Sequence, residues 1–237
     1  MVVPDAAMTR ISVIIPTLDE AARIGGCLEQ FQHQPGSWEV IVADGGSVDG
    51  TLQVAAGHGA VRTLAAPPGR GPQQNAGAAV ATGEVLLFLH ADATLPPGAH
   101  GLILSCLAEG SVVAGAFRVR HQPGRWTSSW RRAFLRLANL RSRYTARPYG
   151  DQGIFVRKAD FEAVGGFPPR PLMEDLHLVR RLARRGGIRV VRAAIQVSGR
   201  RFEAGPVKAF LCMTCFPLLD RLGIPATLLS RFYGRPR

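Results

Sequence analysis

Short apolar runs, each followed by a helical stretch, dominate the first half of this chain and restrict it to a small set of layered folds. Ile11–Ile15 is a β-branched run of the kind that forms a strand buried on both faces, and Pro16-Thr-Leu-Asp-Glu20 ends it. Ala21–Gln32 reads as a helix with Ile24, Leu28 and Phe31 on one side. Trp38–Ala43 is a second strand, stopped by Asp44-Gly45-Gly46; Asp49 opens a helix towards Ala56, and Val61–Leu64 is a weaker third strand. A Gly/Pro loop over 67–72 precedes a small-residue helix, Gln73–Thr82. Val85–Leu89 is strongly apolar and is closed by His90-Ala91-Asp92; Pro97–Leu107 is helical and Val112–Val119 extended. This alternation predicts an α/β fold with a mostly parallel central sheet, in which ligands bind beyond the carboxyl ends of the strands.

The rhythm changes after Arg120. Thr127–Arg143 has the pattern of an amphipathic helix, with Trp130, Phe134 and Leu137 on one face and arginines on the other. Gly153–Arg157 predicts a short strand, Glu174–Arg185 a helix stopped by Gly186-Gly187, and Ile188–Val191 a late short strand. From Val207 the tail is apolar and basic, interrupted by Lys208 and Pro217. The length of 237 residues suits one large domain with an appendage.

Lys and Arg total 29 against 17 Asp and Glu, a formal net charge of +12. Between Glu109 and Asp151 there is no acid, while arginines recur from Arg118 to Arg147. Such a balance favours anionic partners: phosphorylated ligands, nucleic acid or an acidic lipid surface. A composition that simply prefers Arg to Lys accounts for the total but less well for the clustering. Four scattered cysteines make no disulfide framework and suit a reducing, cytoplasmic setting. The first ten residues lack the apolar stretch of a secretory signal, and no apolar run approaches the roughly 20 residues of a spanning helix.

Acids are scarce, so their placement is informative. Asp19, Glu20, Asp44 and Asp92 all fall at expected carboxyl ends of strands, which in a parallel sheet share one edge. Taken singly, Asp19 or Asp49 serves equally well as a helix cap and Asp44-Gly45 as a turn. Together they point to one crevice.

These segments resemble a known family. Ile14-Ile-Pro-Thr-Leu-Asp-Glu20, Val40-Ile-Val-Ala-Asp-Gly-Gly-Ser-Val-Asp-Gly-Thr51, Gln74-Asn-Ala-Gly77 with Ala81-Thr-Gly-Glu84, Phe88-Leu-His-Ala-Asp92 and Met173-Glu-Asp-Leu176 resemble, in order and spacing, the motifs of family 2 glycosyltransferases. The resemblance spans about Ile11 to Phe202. It implies a GT-A (Rossmann-like) three-layer fold over residues 8–202, followed by a C-terminal, acceptor-side helical extension over 203–237. It also implies sugar transfer from a nucleoside-diphosphate sugar with a divalent metal, Mn²⁺ or Mg²⁺. His90 stands where the family's Asp-x-Asp has its first acid; a similar His-Ala-Asp marks a bacterial subgroup of the arsenosugar-biosynthesis, radical-SAM-associated transferase type.

The resemblance assigns roles by position. Asp92, with His90, would ligate the metal, which neutralises the leaving diphosphate. Pro16, Thr17 and Glu20 fall at the nucleoside edge, and Asp44 on the base. Carboxylates suit both places because ribose hydroxyls and base N–H groups are donors. Arg70, Asn75 and Ala91 lie near the nucleotide. Asp151 or Gln152 would touch the donor sugar, and Arg200 and Arg201 would fork onto the diphosphate. Asp175 would be the general base of an inverting transfer, with Glu174 orienting it or the acceptor. For both acids the alternative is simply to complement a helix amino end.

Two further patterns have plainer readings. Cys212-Met-Thr-Cys215 has metal or redox spacing but no second pair, and reads as buried helix cysteines. Glu174-x-x-His177 has a di-iron spacing without a second copy. Competing functions are a sugar-1-phosphate nucleotidyltransferase, disfavoured by the absence of a Gly-rich basic loop after the first strand, and a basic nucleic-acid or membrane-surface module. Few unclustered Tyr and Trp argue against nucleic acid. The arginine-rich helix and the tail would suit an anionic bilayer on the inner face of the cell membrane and a lipid, polyprenyl or carotenoid-like acceptor; a simple cover for the sheet is the plainer alternative.

Overall fold

A computed structural model describes residues 9–122, 135–137, 139–140, 148–200 and 205–233. Eight strands form one sheet: β1 (Ile11–Thr17), β2 (Trp38–Asp44), β3 (Val61–Ala65), β4 (Val85–Phe88), β5 (Ala93–Thr94), β6 (Val112–Gln122), β7 (Ile154–Arg157) and β8 (Gly187–Ser198). Their order is β3-β2-β1-β4-β7-β6-β8-β5. β5 and β7 run against the other strands, which are mutually parallel.

The helices are α1 (Ala21–His33), α2 (Thr51–Ala56), α3 (Arg70–Val80), α4 (Ala99–Ala108), α5 (Lys158–Ala163), α6 (Glu174–Leu182), α7 (Pro206–Arg221) and α8 (Ala226–Tyr233). Alternation along the buried strands sorts them into layers. Ile11, Val13 and Ile15 face a core shared with Ile24 and Leu28 of α1, Ala55 of α2 and Ile103 of α4. Ile14, Ile41, Leu86 and Phe88 face the opposite core, with Ala78 of α3, Phe161 of α5 and Leu178 and Leu182 of α6. The result is the three-layer GT-A arrangement. α3 lies so close to the sheet that a Cβ on Gly77 would stand 2.4 Å from Ile14 Cγ2, so only glycine fits there.

Several expectations change in detail. The late strand extends over all of Gly187–Ser198, because a bulge sets Phe117 opposite Val191 but Arg118 opposite Ala194. Arg192 and Ala193 fall in the bulge and break the two-residue alternation that would reveal the strand. β1 and β2 continue through Pro16–Ala43 and Thr17–Asp44 pairing, beyond their apolar runs. α3 starts at Arg70 rather than Gln73, since Pro72 in a first turn lacks only an N–H that has no helical partner there. α5 was not foreseen. Of the expected helix 127–143 only 135–137 and 139–140 are described, so Trp130 and Phe134 of its expected apolar face lie outside the described residues; Leu135 is buried and Leu137 is half exposed.

α7 continues through Pro217, and α7 and α8 bury Cys212, Phe216 and Leu229 against Leu172, Met173 and Leu176. A polar bond fixes the same contact. Asp220 of α7 accepts from Arg170 Nη2 at 2.7 Å, Arg180 Nη1 at 2.7 Å and His177 Nε2 at 3.1 Å. Burial pushes the Asp220 carboxyl up, and Arg180 with its other cationic partners holds it below the ordinary value all the same. His177, the residue with di-iron spacing, is spent on this network. Among the described residues no helix is long and apolar enough to cross a membrane.

Candidate active site

The parallel strands bring Thr17, Asp44, His90-Ala-Asp92 and Ser198 to one edge of the sheet, and antiparallel β7 begins there. The turn before β7, a 3-10 helix over Gly150–Gln152, therefore lies at the same edge. So does the amino end of α6. Met173, in front of it, adopts the left-handed conformation (φ 63°), rare for a non-glycine residue, and this turns Glu174 and Asp175 into the site.

One cavity is lined by His90, Asp92, Asp151 and Asp175, with Arg70, His121 and Arg200, and on its far side by Cys212, Met213, Pro217 and Tyr233 of the tail. A second, smaller cavity shares Arg70, His90 and Arg200 and adds Pro16, Thr17, Glu20 and Ala91. Residues far apart in the chain thus meet at one edge of the sheet.

The electrostatics explain the arrangement. Arg200 grips Glu20 with a fork, Nη2 to Oε1 at 2.6 Å and Nη1 to Oε2 at 2.8 Å, and its Nε lies 3.1 Å from Asp92 Oδ2. β5–β8 pairing, Ala93 opposite Val197, delivers Arg200 to Asp92. Burial works against its charge, but Glu20 and Asp92 outweigh that and raise its pKa above the ordinary value. Arg70, at the start of α3, lies with Nε 2.9 Å from Oε1 of buried Glu174. Glu174 likewise raises the Arg70 pKa against the effect of burial. Glu174 is thereby engaged in a buried ion pair with an arginine.

Asp175 is placed differently. Its Oδ2 accepts from the Gly150 amide at 2.6 Å and its Oδ1 from the Leu176 amide at 2.7 Å. A Cβ on Gly150 would lie 3.1 Å from Asp175 Oδ2 and 3.6 Å from His90 Nε2. Glycine at 150 leaves open the space between these two groups. Asp151 Oδ1 is buried without a hydrogen-bond partner, and its Oδ2 stands 3.9 Å from His121 Nε2. Among the described residues no three His, Cys, Asp or Glu side chains form a ready-made metal cluster. His90, Asp92 and Asp151 line one cavity, and the chemistry of this donor set is that of a site for a cation taking most of its ligands from a diphosphate and water.

Other expected site residues face elsewhere. Asp44 is buried and accepts from Thr17 Oγ1, Ser47 Oγ and the Gly46 and Ser47 amides, which fills its acceptor capacity. Burial raises its pKa, but the Ser47 bonds and the others prevail and lower it. Asp19 is tied to the same turn, accepting from the Val48 amide at 3.0 Å. Asn75 does not reach the cavity; its amide closes a two-way pair with the Phe167 backbone, 2.9 Å in each direction. Gln152 is also turned inward, donating to the Phe117 carbonyl at 2.9 Å. Both are amides whose paired donor and acceptor suit backbone clamping as well as ligand binding. Arg201 lies outside the described residues. Gln73 carries no motif signal in the sequence, yet its buried amide ties the ends of β1 and β2 through the Thr17 and Ala43 carbonyls at 2.6 and 2.8 Å. Of the tail cysteines only Cys212 is buried; Cys215 is exposed and both are free.

An acid-lined crevice walled by arginines, at the carboxyl edge of such a sheet, is the arrangement of a GT-A fold. Residues 12–165 match Glycosyl transferase family 2, and the chain belongs to that family and is a glycosyltransferase. It is 38% identical over 96 residues to the PGL/p-HBAD biosynthesis glycosyltransferase of Mycobacterium tuberculosis (strain ATCC 25618 / H37Rv), a match covering 38% of each chain. The match thus spans well under half of that relative's length. A mannosyltransferase from Pyrobaculum calidifontis, solved with GDP-Man and Mn²⁺, superimposes with a TM-score of 0.68 at 24% identity, covering 89% of this chain and 64% of that one. Glucosyl-3-phosphoglycerate synthase of Mycobacterium tuberculosis, solved with phosphoglyceric acid, gives 0.64 at 22% identity over 92% and 82%. These two likenesses establish the fold.

Proposed function

We propose that the chain moves a sugar from a nucleoside-diphosphate donor to a small-molecule or lipid-type acceptor, with inversion at the anomeric carbon and dependence on a divalent metal. The observation that carries this reading is the shared cavity of His90, Asp92 and Asp175, with the gap at Gly150 between them. Thr17, Pro16 and Ala91 line the nucleoside end. Asp44 shapes that end from beneath and contributes to base recognition only when Ser47 yields its bond. Asp92, with His90 and Asp151 at hand, would hold the metal, which when bound supplies positive charge to the leaving diphosphate. Arg200 is the cation available to the same phosphates, by turning from Asp92 while keeping part of its fork on Glu20.

Asp175 takes the proton of the acceptor hydroxyl as its oxygen attacks the anomeric carbon; the bond to the diphosphate oxygen breaks as the new glycosidic bond forms. The Gly150 amide fixes which carboxylate oxygen faces the acceptor. Glu174, paired with Arg70, positions Asp175 through α6. The apolar tail wall of the cavity supports a lipid-type acceptor, polyprenyl or carotenoid-like chains included. We divide the chain into a catalytic domain over 8–202 and a tail over 203–237, place it in the His-Ala-Asp subgroup, and expect it on the cytoplasmic side of the membrane. Thermal-shift titration with nucleoside diphosphates and their sugars, with and without Mn²⁺ or Mg²⁺, tests the donor half of the proposal. It expects stabilisation by one nucleotide that requires the metal; no shift with any nucleotide would reject it.

A further inference from the structure

The buried and exposed faces of α7 are sharply separated. Cys212, Phe216 and Asp220, four residues apart, face the body of the protein. Val207, Leu211 and Leu218 along α7 and Leu222 just past its end are 50%, 52%, 58% and 70% exposed. At about 100° per residue these four fall within a stripe of roughly 60° on the side opposite the buried face. Leu228 and Phe232 repeat the pattern on α8, at 45% and 64% exposure. Most large apolar side chains exposed among the described residues are therefore gathered in these two short helices, more than a monomer scatters by chance.

The charges beside the stripe have one sign. Lys208 and Arg221, both exposed, flank it on opposite sides of α7, and exposed Arg231 stands beside Phe232. Asp220 is the one acid among the described tail residues, and it is buried in its bonds to Arg170 and Arg180. The exposed face thus presents apolar residues bordered by cations and no anion. A second protein copy would meet the same uncompensated positive charge on this surface. We propose that α7 and α8 form an interfacial docking surface for an anionic lipid bilayer, lying in the headgroup plane with the Val207–Leu222 stripe and Phe232 inserted.

The location gives the surface a use. Cys212, Met213, Pro217 and Tyr233, on the inner sides of these helices, form the wall of the cavity that holds Asp175. Docking sets the outer side of these helices on the lipid, with the cavity on their inner side, so an acceptor anchored by an apolar chain is held close to Asp175. The docking surface stands on its own; only this delivery role rests on the sugar-transfer reading.

Cosedimentation of the full chain with phosphatidylcholine–phosphatidylglycerol vesicles at low salt, beside pure phosphatidylcholine vesicles, tests it. The native chain should pellet with the anionic vesicles and far less with the neutral ones. A Leu218→Gln/Leu222→Gln/Phe232→Gln variant should lose about tenfold or more of that partition, since each change removes an inserting apolar side chain. Its melting temperature and nucleotide-linked shift should stay as in the native chain, because these side chains are exposed. A native chain that stays in the supernatant overturns the proposal, as does equal pelleting of the variant or equal binding to neutral vesicles. So does light scattering that shows a dimer which the same substitutions split. If vesicle binding follows expectation while no nucleotide shifts either protein, the transferase reading fails and the docking surface survives.

Discussion

Asp220→Asn separates the polar bond from the apolar packing that together hold the tail against the cavity. The native carboxylate is 1% exposed and receives two arginines, which are 27% and 24% exposed, and His177. Breaking a buried ion pair costs about 3–5 kcal/mol, but arginines with a quarter of their surface in water recover part of that by solvation. The amide keeps the volume and one acceptor oxygen, so a loss of about 2–3 kcal/mol is expected. In a chain of this size that corresponds to a fall in Tm of roughly 4–12 °C, read by circular dichroism or dye binding.

The pH dependence has a fixed sign. The folded pKa of Asp220 is depressed, so its contribution is complete above the ordinary carboxylate value and is lost as pH falls through the folded value. His177 is also depressed, first by burial and then by Arg170, from an ordinary value of 6.5. The unfolded chain therefore takes up that proton first, and stability declines as pH falls from 6.5 towards the folded value. In the Asn variant the attraction that opposes this depression is gone, so the decline in this window should steepen. A Tm within about 2 °C of native, with an unchanged pH profile, would refute the claim that Asp220 anchors the tail.

Gly150→Ala places a methyl 3.1 Å from Asp175 Oδ2 and 3.6 Å from His90 Nε2. It should cut transfer by roughly tenfold or more in steady-state assays while leaving Tm nearly unchanged. Asp92→Ala should abolish the metal-linked part of donor binding in thermal-shift titrations and leave any metal-independent nucleotide shift in place. Asn75→Ala removes both bonds to the Phe167 backbone and should cost about 1–3 kcal/mol of stability by denaturant titration, with the donor affinity of the folded fraction preserved.

The layers were legible because β1, β2 and β4 are continuous apolar runs between helical patterns, which is how parallel strands covered on both faces are written. The convergence of Asp92 and Asp175 was legible only through ordered motifs, since no local pattern relates the turn after β4 to α6. β8 was hidden by its bulge, where Arg192 and Ala193 disrupt alternation. The pairing of Arg200 with Glu20 has no local signature, because it depends on β5 joining β8 at the sheet edge. Asn75 and Gln152 mark a different limit. Residue type indicates that a polar group needs partners, while only the packed chain decides whether those are a ligand or a neighbouring backbone carbonyl.

Asp175→Asn is the most direct measurement on the central claim. The amide keeps the bond from Gly150 but cannot take the acceptor's proton, so metal-linked donor binding should remain within about twofold of native while the transfer rate falls by roughly 10²–10⁴. Turnover close to that of the native enzyme, with donor binding intact, would show that the proton leaves by another group and that the site does not work as described.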